Sequence, residues 1–285
     1  MTRPAVAEGL WTWTPGRGLA PATAAAEGLW TWTPGRGLAP APERTAGGRL
    51  LVADSWLLRE GRVRAYARHR ERFSRACGDC GGPEPRLLTA FWQDVTAALP
   101  RTGEWFPRVE LAAGSLELRL LLRPAPPLGA GVHLWAAGQS DPRTVPRRKG
   151  PDLDTLARVR RRATGEGAEE AVLITPSGTV LESATAGVLW WEDDTLCLPP
   201  PRLPVLPSVT AGLVQERALR SGLRIAHRER TVAELDGREV WLVNALHGIR
   251  PVTGWAGRPM RVPPAERAGE WRTWLDSVME PLPAD

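Results

Sequence analysis

Among the 285 residues of the chain, Lys and Arg together number 37, and Lys149 is the one lysine. A primary amine condenses with carbonyl compounds and, once deprotonated, moves protons; a guanidinium does neither at ordinary pH. Where arginine has taken over every other basic position, a retained lysine marks a nucleophile and a base. The remaining reactive side chains are less suggestive. CGDC (77–80) has Cys-x-x-Cys spacing, but a structural zinc needs four ligands and no second pair exists, so a helix-end turn is expected and no metal. The four histidines, His69, His133, His227 and His247, are scattered and give no Ser/His/Asp order.

The composition sets wide bounds. Hydrophobic content of 42% and charged content of 24% are those of a globular protein with room for one large or two modest domains. No apolar run reaches membrane-spanning length, and the N-terminus shows no basic-then-apolar leader. The three cysteines, Cys77, Cys80 and Cys197, are too sparse and odd in number for a disulfide scaffold, which together suggests a cytoplasmic location. A net charge of +5 invites a nucleic-acid reading. The arginine clusters at 62–72, 147–149 and 158–162 are instead read as solvated faces, because no nucleic-acid-binding motif accompanies them.

The elements that must position Lys149 can be sketched from periodicity. AEGLWTWTPGRGLAPA occurs at residues 7–22 and again, unchanged, at 26–41. Each copy alternates large and small residues before a Pro-Gly turn, as a strand does. The second copy is expected to supply the first strand of the body, leaving residues 1–25 as a mobile, dispensable duplicate. Helical spacing appears at 62–78 and 86–99. Residues 104–123 read as a hairpin and 131–137 as a strand. A polar connector at 138–146 divides a smaller domain, 26–140, from a larger one, 141–285. The second half begins with a helix at 153–163. Strands follow at 171–175, 179–183, 187–191 and 195–198, then a helix at 210–221, strands at 224–229 and 239–244, and a helix near 264–279. The pattern is α/β of the α+β kind, without an alternating βαβ run and without a Gly-rich nucleotide motif.

Four ordered segments resemble the class IV aminotransferase family, the fold-type IV pyridoxal-phosphate enzymes. They are HRERF (69–73), RRKGPDLDTLARVRRRA (147–163), ITPSGTVLESATAGVLWW (174–191), and the pair LPSVTAG (206–212) with VWLVNALHGIRPV (240–252). The resemblance covers residues 45–260 and implies a two-lobed enzyme with pyridoxal 5'-phosphate in the cleft between the lobes. It makes Lys149 the Schiff-base lysine and proton shuttle. Arg72 becomes the phosphate grip, a task that a planar guanidinium suits. Glu182 faces the pyridine nitrogen and keeps it protonated. The amides of Val209 and Thr210 bind phosphate at a helix start. Asn244 and Ala245 face the cofactor, and His247 lies close enough to meet substrate. An amino-acid-like substrate and a homodimer are also implied.

The string Asn-Ala-Leu-His-Gly-Ile-Arg-Pro-Val is most similar to the aminodeoxychorismate lyase branch, which releases 4-aminobenzoate and pyruvate. Departures from the family pattern fall at Gly187, Ser208, Ala211 and Ala245, each removing a hydrogen bond to phosphate or ring. The stretch Gly150–Asp154 lacks the tyrosine that aminotransferase members carry after the lysine. Two alternatives stand beside the lyase: an amino-acid aminotransferase of branched-chain or D-amino acid type, and a non-catalytic binding protein on the same scaffold.

Overall fold

The computed structural model describes residues 11–14, 18–21, 27–41 and 49–283. Its first lobe is built on a five-stranded antiparallel sheet in the order Gly37–Pro40, Gly28–Thr33, Leu118–Leu122, Arg108–Ala112, Leu50–Ser55. Helices α1 (Tyr66–Gly78) and α2 (Pro85–Ala98) pack against it. Their apolar stripes, Tyr66, Phe73 and Cys77 on α1 and Leu88, Phe91, Trp92 and Val95 on α2, join Val52, Val109, Leu111 and Leu120 in one core. Pro85 opens α2, where a missing N–H costs nothing.

The second lobe is an eight-stranded sheet. Six of its strands run Val180–Ser183, Glu170–Ile174, Val132–Ser140, Gly248–Ala256, Val240–Asn244, Gly187–Glu192, and the first pairs again with the last through Glu182 and Gly187. That pairing closes a barrel and puts Glu182 at its seam. Thr195–Leu198 and Arg224–His227 extend the sheet beyond the barrel. Helix α3 (Leu153–Gly165) links two parallel barrel strands, and α4 (Val209–Arg220) links the two parallel outer strands. Helix α5 (Ala268–Ser277) packs Trp271 and Leu275 against Trp191, Trp241 and α4. No helix among the described residues is long and apolar enough to cross a membrane.

Several boundaries differ from those the periodicity suggests. Residues 62–64 are a strand, not the first turn of α1, because Glu60 and Gly61, both at positive φ (47° and 65°), form a tight turn between Leu58–Arg59 and Arg62–Arg64. Strand Val132–Ser140 runs on into the segment read as a connector. Two single βαβ crossovers exist, although no longer alternation does. Strand Gly248–Ala256 has no counterpart among the elements read from periodicity; Asn244 pairs with Gly248 (φ 70°) across the reversal between this strand and Val240–Asn244. The chain end also returns to the first lobe, where Met279–Pro281 pairs with Arg62–Arg64.

The second copy of the repeat forms the hairpin Gly28–Thr33/Gly37–Pro40 on the first-lobe sheet, and the first forms a separate hairpin, Trp11–Thr14 with Gly18–Pro21, in the same register. Among the described residues the first hairpin has no strand partner other than itself. Deletion of residues 1–25 is therefore expected to shift the melting temperature by less than about 2 °C. A drop of many degrees in calorimetry would show that the first copy is part of the packed body.

Candidate active site at the lobe junction

Strand Leu50–Ser55 faces the second lobe and sets two charged groups. Asp54 is fully buried and accepts two bonds from Arg72, Nε to Oδ2 and Nη2 to Oδ1, both 2.8 Å. His69 Nδ1 lies 2.8 Å from Oδ1, and the Ser55 amide donates to the same oxygen at 2.7 Å. Burial opposes a charge on Asp54, yet Arg72 and His69 hold its carboxyl well below the usual range. His69 is itself buried, and desolvation pushes its imidazole below the ordinary value against the pull of Asp54; facing a carboxylate, its Nδ1 is the donor. The third donor of Arg72, Nη1, reaches the carbonyl of Pro207 at 2.9 Å, just ahead of α4. Asp54 thus orients Arg72 across the gap between the lobes.

The same strand fixes the lysine. The Ala53 amide donates to the Lys149 carbonyl at 2.8 Å. Gly150 follows at φ 134°, and a Cβ there would lie 2.7 Å from the Ala53 nitrogen and 2.8 Å from the Val52 carbonyl carbon. Only glycine permits this approach. Lys149, in the irregular segment held against that strand, borders two cavities of about 530 and 400 Å³. Burial and the nearby Arg72 charge, opposed by Asp54, bring its ammonium down to about 8.

Glu182, at the barrel seam, lines both cavities and is 5% exposed. Its Oε1 accepts from Arg143 and from the Leu206 amide (3.1 Å). Burial raises this carboxyl to about 7 against the pull of Arg143. Arg143 is held in turn by a two-pronged pair with Asp141 (2.8 Å each) and by the carbonyl of Pro204 at 2.9 Å. Ser208, where the family pattern has glycine, caps α4 by accepting from the Ala211 amide at 3.2 Å. The amides of Val209 and Thr210 are the first of that helix and have no carbonyl within it to meet, so they face outward at its positive end. Both residues line the smaller cavity.

Asn244 and Ala245 complete that wall. Asn244 Oδ1 accepts from the Leu246 and His247 amides (3.1 and 2.8 Å), and the Ala245 carbonyl accepts from Leu57 of the first lobe at 3.1 Å. His247 is not among the residues lining either cavity; its Nδ1 accepts from the Gly129 amide at 3.2 Å. Burial, with Arg250 and Arg160, lowers its imidazole to about 4. Lys149, Glu182, Arg72, Val209, Thr210, Asn244 and Ala245 are therefore brought together around one cleft, with His247 set back.

Sequence reasoning passed over Asp54, Arg108, Arg123, Arg143 and Arg148. A lone Asp in the apolar run LLVADSWLL was a usable signal, since a buried carboxylate needs a cationic partner. Asp141 and Arg143 sat in a segment dismissed as a connector. Cys77 and Cys80 end α1, the Cys80 thiol pointing at the Cys77 carbonyl (3.4 Å). No group of three or more metal-ligating side chains occurs among the described residues.

The family model described as amino-transferase class IV matches residues 51–255. The chain belongs to the class IV aminotransferase family, an enzyme family whose cofactor is pyridoxal 5'-phosphate. Solved structures agree in fold. A hypothetical aminotransferase from Mycobacterium tuberculosis, in its PLP-bound form, superposes with a TM-score of 0.72 at 22% identity, over 88% of this chain and 98% of that one. The branched-chain amino acid aminotransferase from Escherichia coli gives 0.71 at 16%, over 88% and 92%. That of Thermoproteus uzoniensis, solved with norvaline, gives 0.71 at 18%, over 89% and 98%. A search of curated proteins finds no match.

The lowered Lys149 value has a direct readout. Below about pH 8 the side chain is mostly ammonium and no nucleophile; above it the free amine predominates. The rate at which apoprotein forms a borohydride-trappable adduct with pyridoxal 5'-phosphate is expected to rise with pH through a midpoint near 8. A midpoint near the ordinary lysine value of about 10.4 contradicts the site as described.

Proposed function

We propose that this enzyme is an aminodeoxychorismate lyase-like protein, which releases 4-aminobenzoate and pyruvate. The residues of the cleft fit pyridoxal 5'-phosphate: an amine, a buried carboxyl raised toward neutrality, a guanidinium and two free helix-start amides. In this reading Lys149 holds the cofactor aldehyde and Glu182 the pyridine nitrogen, while Arg72 and the amides of Val209 and Thr210 hold the phosphate. When bound, the cofactor supplies an electron sink for the carbon that bears the substrate amine.

The protein's own groups do the rest. The Lys149 amine, with its value near 8, takes the proton from that carbon at working pH. Glu182, close to 7, holds or shares a proton at the ring nitrogen. In the lyase the C–O bond to the enolpyruvyl group then breaks, the ring becomes aromatic, and a proton returned to the departing enol carbon gives pyruvate.

One observation carries the choice of substrate. The cavity beside Lys149 is lined by Arg72, Arg108, Arg123, Arg143, Arg148 and Arg160. Four of these are tied to carboxylates: Arg72 to Asp54, Arg108 to Glu110, Arg143 to Asp141 and Glu182, and Arg160 to Glu170. Arg123 has a carbonyl (Phe106 O, 3.0 Å) and the Phe106 ring, and Arg148 has a buried Nε without a partner. Two guanidiniums without carboxylate partners suit a substrate with two carboxylates, as aminodeoxychorismate has. The missing tyrosine after Lys149 points the same way. The second reading, an aminotransferase, is favoured by the branched-chain enzymes among the similar folds. In either case we infer a homodimer acting on a small amino or keto acid.

Incubation with aminodeoxychorismate, and separately with a panel of amino acids plus 2-oxoglutarate, distinguishes the readings. The expected result is 4-aminobenzoate and pyruvate in equal amounts, faster than any nitrogen transfer. Conversion of the cofactor to its amine form by a branched-chain or D-amino acid, without 4-aminobenzoate, assigns the protein to the aminotransferases.

A further inference from the structure

The first-lobe sheet seats one Trp-Thr-Trp hairpin, and the sequence carries a second, identical copy of that segment. The seated copy pairs Gly28–Leu29–Trp30–Thr31 with Leu122–Leu121–Leu120–Arg119. Trp32, 6% exposed, donates from Nε1 to Asp94 of α2 at 2.6 Å and meets the Phe91 ring edge-on at 5.8 Å. Trp30 and Leu38 pack on the same core. Every residue that makes these contacts recurs nineteen positions earlier, as Gly9, Leu10, Trp11, Thr12, Trp13 and Leu19. The described strands of the earlier copy already pair in the matching hairpin register, Trp11 opposite Pro21 as Trp30 is opposite Pro40.

We propose that residues 7–22 are a second cis ligand for this surface, exchanging with residues 26–41. Since the two segments are chemically the same, the docking contacts cannot tell them apart, and only the connector to strand Leu50–Ser55 differs. By sequence it spans residues 41–49 for the second copy and would span residues 22–49 for the first. A connector about three times longer costs about fivefold through loop-closure entropy, which scales as the three-halves power of length. The second copy therefore holds the surface most of the time, and the first holds it in roughly one molecule in six. Damage to the seated hairpin is correspondingly buffered, because the spare replaces it.

A double-mutant cycle in the full chain tests this, with chemical denaturation as the readout. Trp13→Ala removes only the minor arrangement and should leave the folding constant almost unchanged. Trp32→Ala moves the population to the first copy and should lower the constant by about sixfold. The double variant Trp13→Ala/Trp32→Ala has no intact ligand and should lose at least a hundredfold, the scale of a buried Trp truncation. Should a variant fail to fold, the Phe pair, Trp13→Phe and Trp32→Phe, removes the bond to Asp94 and part of the buried ring and must show the same non-additive pattern at smaller amplitude. A Trp32→Ala loss as large as that of the double variant overturns the proposal. So does a rescue of Trp32→Ala that grows with protein concentration, which places the first copy on a neighbouring molecule instead.

Discussion

The junction rests on one strand edge. Leu50–Ser55 belongs to the first lobe, yet its Ala53 amide holds the Lys149 carbonyl and its Asp54 carboxylate holds Arg72. The bond from Ala53 fixes where the lysine leaves the backbone, and Gly150 allows the second lobe to lie against that strand without a Cβ between them. Arg72 then reaches past Asp54 to Pro207, so α4 is referred to the same strand. Lysine, guanidinium and helix start are thereby positioned by a single element with little freedom, as a preorganised site requires.

Electrostatics follow from that geometry. Asp54 and Arg72 pair within the lobe junction, and at Lys149 the Arg72 charge outweighs the opposing charge of Asp54. Burial and the Arg72 charge both disfavour the ammonium, so the amine titrates close to the range in which it must give and take protons. Glu182 is shifted the opposite way by burial, so the two groups approach each other in proton affinity. Burial is the leading cause for both, since it disfavours the charged form of each; the Arg72 charge adds to it at the amine, whereas Arg143 opposes it at the carboxyl.

In the sequence only the lysine stands out by residue type. The strand Glu182 reads by itself as an ordinary hairpin glutamate, and it and the Ser-Val-Thr segment are singled out by the family resemblance alone. What stayed hidden depends on contacts distant in sequence. Asp54 and Arg72 lie eighteen residues apart and Arg143 and Glu182 thirty-nine, and no local pattern links them. Barrel closure through Glu182 and Gly187, and strand Gly248–Ala256, are likewise results of pairing between strands rather than of periodicity. Helix α1 starts later than the arginine run because the Glu60-Gly61 turn ahead of that run folds its first residues back as a strand, and Ala65 at φ 49° separates them from the helix.

The central claim is that Lys149 is the residue on which the cofactor is held in this cleft. Borohydride reduction of the holoenzyme followed by peptide mapping addresses it directly, since no other side-chain amine exists in the chain. The account predicts the pyridoxyl group on the peptide that contains Lys149 and the loss of visible absorbance in Lys149→Arg without loss of fold. A label confined to the N-terminal amine, or none at all, contradicts it.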